Sequence, residues 1–98
     1  MPRYIIERTY DVDIDQMPMI GQRSKSIAAE QFPDLIVWEH SHVVVDDDGT
    51  VWTYCVYEAP DEKTIRDHAA DLGDHRIEEV HEIAGDVTPA DFPAPAAA

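Results

Sequence analysis

The sequence predicts an α+β fold in which two helices cover one face of a four-stranded antiparallel sheet. The predicted segments follow the order strand, helix, strand, strand, helix, strand, and a strong hairpin signal lies in the middle of the chain. The predicted strands also carry apolar or aromatic residues at both alternating positions, which indicates a sheet buried on both faces. This order is typical of the ferredoxin-like βαββαβ sandwich, of the kind found in dimeric α+β barrels.

The first strand and the first helix are predicted from the amino-terminal third. Arg3 to Tyr10 alternates charged and apolar residues and is typical of a strand. Asp15 is a candidate cap for the helix that follows, and Pro18 suits a first turn. Pro33 ends this helix, because the residue before a proline is disfavoured in helical geometry.

The central hairpin is the strongest signal in the chain. Leu35 to Val45 is a run of strand-forming residues, and Asp46 to Gly49 supplies turn chemistry. Thr50 to Glu58 is rich in β-branched and aromatic residues, as a partner strand requires.

The second helix and the last strand complete the predicted domain. Pro60 and the acids after it suit a helix start, and Gly73 suits its carboxyl-terminal cap. His75 to Ala84 returns to strand character. We therefore predict one ferredoxin-like domain over residues 1–84. The Pro/Ala-rich residues 85–98 are predicted to be a disordered tail.

The composition limits the classes of partner. The 98 residues carry a formal net charge of -14, which repels nucleic acid and anionic membranes, so neither is expected as a partner. No apolar run approaches the ~20 residues that span a bilayer. Cys55 is the only cysteine, so no intramolecular disulfide can form, and a cytoplasmic location is expected.

A homodimer is the expected assembly. A domain of this size is marginally stable alone. The helices cover one sheet face, and the apolar residues of the other face require a cover, which a second copy of the chain would supply.

His40 and His42 are the first candidate metal ligands. They are two apart in a predicted strand, so their side chains share a face with Trp38, roughly 6–7 Å apart at the backbone. Neutral imidazole is a good ligand for nickel, zinc and copper. A core histidine beside an unrelated surface histidine is the alternative interpretation, and the commoner one.

Cys55 is a third candidate, and its face depends on the hairpin loop. If Asp48-Gly49 or all of Asp46 to Gly49 forms the loop, Cys55 lies opposite His42 or His40 and shares their face. If Asp47 to Gly49 forms a three-residue loop with a bulge at Gly49, Cys55 lies opposite Ser41 instead. A lone buried cysteine is more often a small hydrophobic residue than a ligand.

His68 is the fourth candidate, on the inward stripe of the second helix. It could complete a site with the hairpin, or it could be a hydrogen-bonded core histidine, which is the more common case. The carboxylates of Asp46, Asp47 and Asp48 lack the spacing of a calcium loop and are interpreted as turn chemistry. The sequence shows no recognisable nucleophile for catalysis.

Several segments together resemble a small ferredoxin-like family of formerly unknown function that includes nickel-binding proteins. They are Met-Pro-Arg-Tyr-Ile-Ile-Glu-Arg at the start, Trp38 to His42, Tyr54 to Glu62, and then Ile65, His68-Ala69 and Gly73.

The resemblance covers most of residues 1–84. It implies a dimer of ferredoxin-like subunits that holds transition-metal ions, with nickel or another divalent transition metal as the cofactor. Carried over by position, His40, Cys55 and His68 fall on recurring polar positions of the family. His42 departs from the family pattern, which has an aromatic residue there, and the turn from Asp46 to Gly49 is longer than usual.

Three functions are consistent with the sequence. The first is nickel binding or sequestration by a small homodimer, through His40, His42, Cys55 and His68. The second is a dimeric α+β-barrel enzyme, isomerase or monooxygenase-like, in which His40, His68 and Tyr57 line a pocket for a small organic molecule. The third is a structural or interaction module.

Overall fold

The computed structural model describes residues 1–95. Its helices and strands are β1 (Arg3–Tyr10), α1 (Met17–Gln31), β2 (Val37–Val45), β3 (Val51–Glu58), α2 (Glu62–Leu72) and β4 (His75–Glu82), with short 3-10 turns at Ile14–Gln16 and Pro89–Asp91. Within this part of the chain, the strands form one antiparallel sheet in the order β2-β3-β1-β4. The predicted ferredoxin-like α+β fold is confirmed.

The ends of the helices follow the local signals, with one exception. Asp15 was predicted to cap α1, but it lies inside the 3-10 turn that precedes the helix. Pro18 does lie in the first turn of α1. The Asp61 side chain caps α2, and Gly73 ends α2 with a φ of 70°.

The core lies between the two helices and the central strands. In β1 every second residue is buried, starting at Tyr4, and in β3 the buried series runs from Val51 to Tyr57. These side chains meet Ile65 and Leu72 of α2 and Ile20 of α1. The helices therefore cover β1 and β3 on one face, here called the helix-facing side.

The edge strand β2 is exposed on both of its faces. The exposed fractions are 39% for Trp38, 49% for Val43 and 43% for Val44. A cleft opens between this strand and the amino-terminal half of α1. The other face of the sheet, here called the open face, lies opposite the side on which α1 and α2 pack.

The tail was predicted to be disordered over residues 85–98. Residues 96–98 lie outside the described residues. In residues 85–95 the structure has the turn Pro89–Asp91, and Asp86 accepts a 2.7 Å hydrogen bond from Arg3. Disorder of the tail stays a prediction. Neither helix of the described residues combines the length and apolar character needed to cross a membrane.

Candidate functional site

His40 and His42 lie side by side on the open face. His40 is opposite Val56 of β3 and His42 is opposite Tyr54. The two exposed rings have centroids 5.3 Å apart and planes at 74°. The prediction that these imidazoles share a face is confirmed, and rotation about their side-chain bonds can turn one nitrogen of each toward a shared ion.

Trp38 does not share that face, which corrects the prediction. The pairing of β2 with β3 shifts by one residue between Trp38 and His40, so Glu39 is the extra residue of a β-bulge. A one-residue shift turns a side chain to the opposite face. Trp38 therefore lies opposite Tyr57 on the helix-facing side, where its Nε1–H donates to Ser41 Oγ at 2.8 Å.

Cys55 lies on the helix-facing side, opposite Ser41. The loop is the three-residue one, since Asp46 N–H donates to Thr50 O at 3.0 Å and Gly49 has a φ of 83°. Of the two alternatives left open by the sequence, the structure therefore has the bulged one. The Cys55 thiol is buried and donates to Thr53 Oγ1 at 3.3 Å.

His68 is fully buried under α1. Its Nε2 lies 3.1 Å from the Ser24 carbonyl oxygen, so Nε2 carries the proton and donates it. Burial lowers the pKa of His68, the Ser24 carbonyl opposes this, and the positive charge of Arg8 lowers the pKa further. The ring is therefore a neutral imidazole, and its Nδ1 has no partner among the described residues.

The four predicted metal ligands do not converge within one chain. His40 and His42 lie on the open face, whereas Cys55 and His68 lie on the helix-facing side. Among residues 1–95, no group of three or more histidine, cysteine, aspartate or glutamate side chains is placed to hold a metal ion. A pocket shared by His40, His68 and Tyr57, as the enzyme alternative requires, is likewise not formed, because His40 lies across the sheet from the other two.

The acidic turn is held by its own hydrogen bonds. Asp46 accepts from the backbone N–H groups of Asp48 and Thr50 and from Trp52 Nε1, each at 3.0 Å. These bonds, that of Trp52 above all, lower the pKa of Asp46. The carboxylate organises the loop, as turn chemistry predicts.

Arg8, which is 1% exposed, is a buried polar residue that was not among the residues predicted from the sequence. Its Nη1–H donates to His75 Nε2 at 3.1 Å, and its Cζ lies 5.2 Å from the centre of the Tyr57 ring. His75 can accept because its Nδ1–H donates to the Gly73 carbonyl at 2.8 Å. A signal was available: Arg8 has the same parity in β1 as the buried Tyr4, Ile6 and Tyr10.

Arg8 lies in the cleft beside β2, which has a volume of about 390 Å³. Other cleft residues belong to three groups: α1 and the turn before it, the helix-facing side of the sheet, and the end of α2. Examples from these groups are Ile14, Gly21, Trp38, Val43, Tyr57 and Leu72.

Comparison with known proteins agrees with the fold and names a family. Residues 4–83 match the family described as nickel responsive protein SCO4226-like. The crystal structure of SCO4226 from Streptomyces coelicolor A3(2) superposes with a TM-score of 0.61, covering 87% of this chain and 99% of that one at 19% identity. At that identity the likeness shows a shared fold. No curated protein matches the sequence.

Proposed function

This chain belongs to the SCO4226-like family of nickel-responsive proteins, and from that membership we propose that it binds nickel or a similar divalent transition-metal ion in a small homodimer. The observation that carries the proposal is the pair of exposed imidazoles at His40 and His42, with ring centroids 5.3 Å apart. Imidazole nitrogen is a favoured ligand for nickel. In this proposal the protein sequesters the metal ion.

The pair leaves coordination positions to be filled. Two imidazoles supply two ligands, and the described residues place no third side chain of a ligating type beside them. Water or a second copy of the chain would supply the remainder. The formal charge of -14 favours accumulation of cations near the protein.

A second copy packed on the open face would supply further imidazoles. This face carries a stacked pair of aromatic rings, Trp52 and Tyr54, with centroids 6.5 Å apart and planes at 10°. Apolar and aromatic groups on an uncovered sheet favour sheet-to-sheet packing. A two-fold axis near β2 would bring two pairs of His40 and His42 together.

The free thiol suits a reducing compartment. Cys55 is the only cysteine of the sequence, and its thiol is buried. Together with the acidic composition, this favours the cytoplasm as the location.

Calorimetric titration with nickel chloride tests the metal site. We expect binding by the unaltered protein and at least a tenfold loss of affinity in the double variant His40→Ala/His42→Ala. The affinity should also fall on acidification, because protons compete with the ion for imidazole nitrogen.

Two further variants serve as matched controls. His81→Ala removes another exposed imidazole from the open face, at the opposite edge of the sheet, and should retain nickel affinity. Cys55→Ala removes a thiol from the helix-facing side and should also retain it. Unchanged affinity in the double variant would exclude His40 and His42 as ligands, and no binding by the unaltered protein would refute the proposed function.

A further inference from the structure

Arg8 is a buried cation with no counter-charge paired to it among residues 1–95. Its side chain is 1% exposed, and none of the ion pairs among residues 1–95 includes it. His75 accepts one hydrogen bond from Nη1, but Nε and Nη2 have no partner in the described part of the chain. Burying a charge without a partner is unfavourable, so a negatively charged partner for Nε and Nη2 would stabilise Arg8.

The two free donors lie on one edge of the guanidinium. Nε–H and Nη2–H point in parallel, which is the fork that pairs with both oxygens of a carboxylate. Arg3 of this same chain shows the pairing: its Nε and Nη2 donate to the two carboxylate oxygens of Glu39 at 2.7 and 3.1 Å. In Arg8 the same edge has no protein partner among residues 1–95.

The hydroxyl groups near Arg8 are already paired with one another. Tyr10 OH lies 3.1 Å from Thr53 Oγ1, and Tyr57 OH lies 3.2 Å from Ser24 Oγ. Burial raises the pKa of Tyr57, which keeps its hydroxyl neutral. No oxygen of these groups carries a charge that could balance the guanidinium.

Arg8 is among the residues that line a cleft open to solvent. The cleft opens along the exposed edge of β2, where Trp38 and Val43 are 39% and 49% exposed. Its walls are predominantly apolar, and its volume of about 390 Å³ lies within the range of small-molecule sites.

We propose that this cleft binds a small organic acid, whose carboxylate pairs with Nε and Nη2 of Arg8 and whose apolar body lies between α1 and β2. The donor atoms are shielded from water, so side chains at the floor of the cleft must move aside for the carboxylate to reach them. Once formed, such a pair excludes solvent, which strengthens the attraction. The site is independent of the metal site, since His40 and His42 lie across the sheet.

Titration followed by ¹H–¹⁵N NMR tests the proposal with two probes of similar shape. Octanoate carries the carboxylate, and octanamide replaces it with a neutral group. We expect octanoate to shift the amide signals of residues that line the cleft and to bind at least tenfold more tightly than octanamide. Equal affinity for the two probes, or no shift with octanoate, would overturn the proposal.

Substitution of Arg8 tests whether its charge, and not only the shape of the cleft, determines octanoate affinity. Arg8→Met should reduce octanoate affinity at least tenfold and leave octanamide affinity nearly unchanged. Its control is Arg66→Met, which removes the same charge from the exposed face of α2 and should retain octanoate binding. Retention of octanoate affinity in Arg8→Met would overturn the role of Arg8.

Gly21→Leu keeps the test decisive if Arg8→Met does not fold. Gly21 lies in α1 and lines the cleft, and a Cβ placed there would contact Trp38 at 3.9 Å, so a leucine side chain would occupy cleft space while Arg8 keeps its charge. Leucine is also a better helix former than glycine. We expect this variant to bind neither probe, whereas His40→Ala/His42→Ala should bind octanoate like the unaltered protein. Octanoate binding by Gly21→Leu would place the acid elsewhere.

Discussion

Asp61 determines where α2 begins. Its carboxylate accepts hydrogen bonds from Thr64 N–H at 2.8 Å and from Thr64 Oγ1 at 2.7 Å. Both bonds favour the ionised form and lower the pKa of Asp61. The side chain thus satisfies a backbone donor that the first turn of a helix leaves without a partner.

Asp61→Ala should lower the free energy of unfolding by about 1 kcal/mol, because the first turn of α2 loses its cap. Urea denaturation followed by circular dichroism measures this change. The control is Asp67→Ala, which breaks an exposed ion pair with Lys63 and should cost less than about 0.5 kcal/mol. Equal losses in the two variants would contradict a capping role for Asp61.

His68 links stability to pH. Burial, countered by the Ser24 carbonyl and reinforced by Arg8, lowers its folded-state pKa below the ordinary 6.5. When the pH falls below 6.5, the unfolded chain takes up this proton before the folded protein does. The contribution of neutral His68 to the free energy of unfolding is therefore complete above its unfolded-state pKa. It declines as the pH falls toward the lower pKa of His68 in the folded protein.

His68→Gln should reduce the loss of unfolding free energy between about pH 7 and about pH 5, because glutamine cannot take up the proton. The measurement is urea denaturation at a series of pH values in this range, above the titration of the carboxylates. His81→Gln, which replaces an exposed imidazole on β4, should retain the slope of the unaltered protein. A His68→Gln slope equal to that of the unaltered protein would rule out this linkage.

Among the elements, the hairpin loop decides which side chains of β3 oppose those of β2. Asp47 to Gly49 forms the loop, and Gly49 takes a φ of 83°, where a Cβ is disfavoured. This loop puts Cys55 opposite Ser41. Farther from the loop, the bulge at Glu39 shifts the pairing of β2 with β3 by one residue. Hydrogen bonds from Arg3 hold the Glu39 side chain in place.

Gly49→Ala should lower the free energy of unfolding by roughly 1–2 kcal/mol, since alanine is strained at positive φ even though open space surrounds the position. Thermal or urea denaturation measures the loss. Gly85→Ala is the matched control at a glycine that is also in open space but without positive φ, and its effect should stay within about 0.5 kcal/mol. A Gly49→Ala variant as stable as the parent would show that the loop does not depend on glycine.

At the scale of the whole molecule, the net charge of -14 acts against compactness. Raising sodium chloride from about 0.01 M to about 1 M shortens the screening length from about 30 Å to about 3 Å. The free energy of unfolding should therefore increase with salt. Urea denaturation at each salt concentration tests this, and Asp47→Asn/Asp48→Asn, which removes two charges from the exposed loop, should show a smaller increase. Constant or decreasing stability would show that charge repulsion does not destabilise the folded protein.

The proposed dimer should form more readily with nickel than without it. Two copies of so acidic a chain repel one another, and a divalent ion bound between them offsets part of that repulsion. Sedimentation velocity with nickel should show a larger species than with an equal concentration of magnesium, which prefers oxygen ligands.

His40→Ala/His42→Ala should lose this response to nickel. A protein that remains monomeric with nickel would contradict the proposed assembly. If the fraction of dimer is the same in the presence of a chelator, dimer formation does not depend on the metal.

The sequence by itself determined the order of the elements. The signals that predict it are local: the alternation of side chains in the strands, Pro60 before α2 and Gly73 after it. Such preferences depend only on residues that are close in the sequence and act before any tertiary contact forms. The same alternation determined that His40 and His42 share a face, because no bulge lies between them.

Tertiary structure alone decided the rest. The faces of Trp38 and Cys55 depend on one-residue shifts in pairing, at Glu39 and in the hairpin loop, and several registers were compatible with the sequence. The cleft at Arg8 is lined by residues of α1, of the sheet and of α2. These segments are distant in the chain, and no local pattern encodes how they pack together.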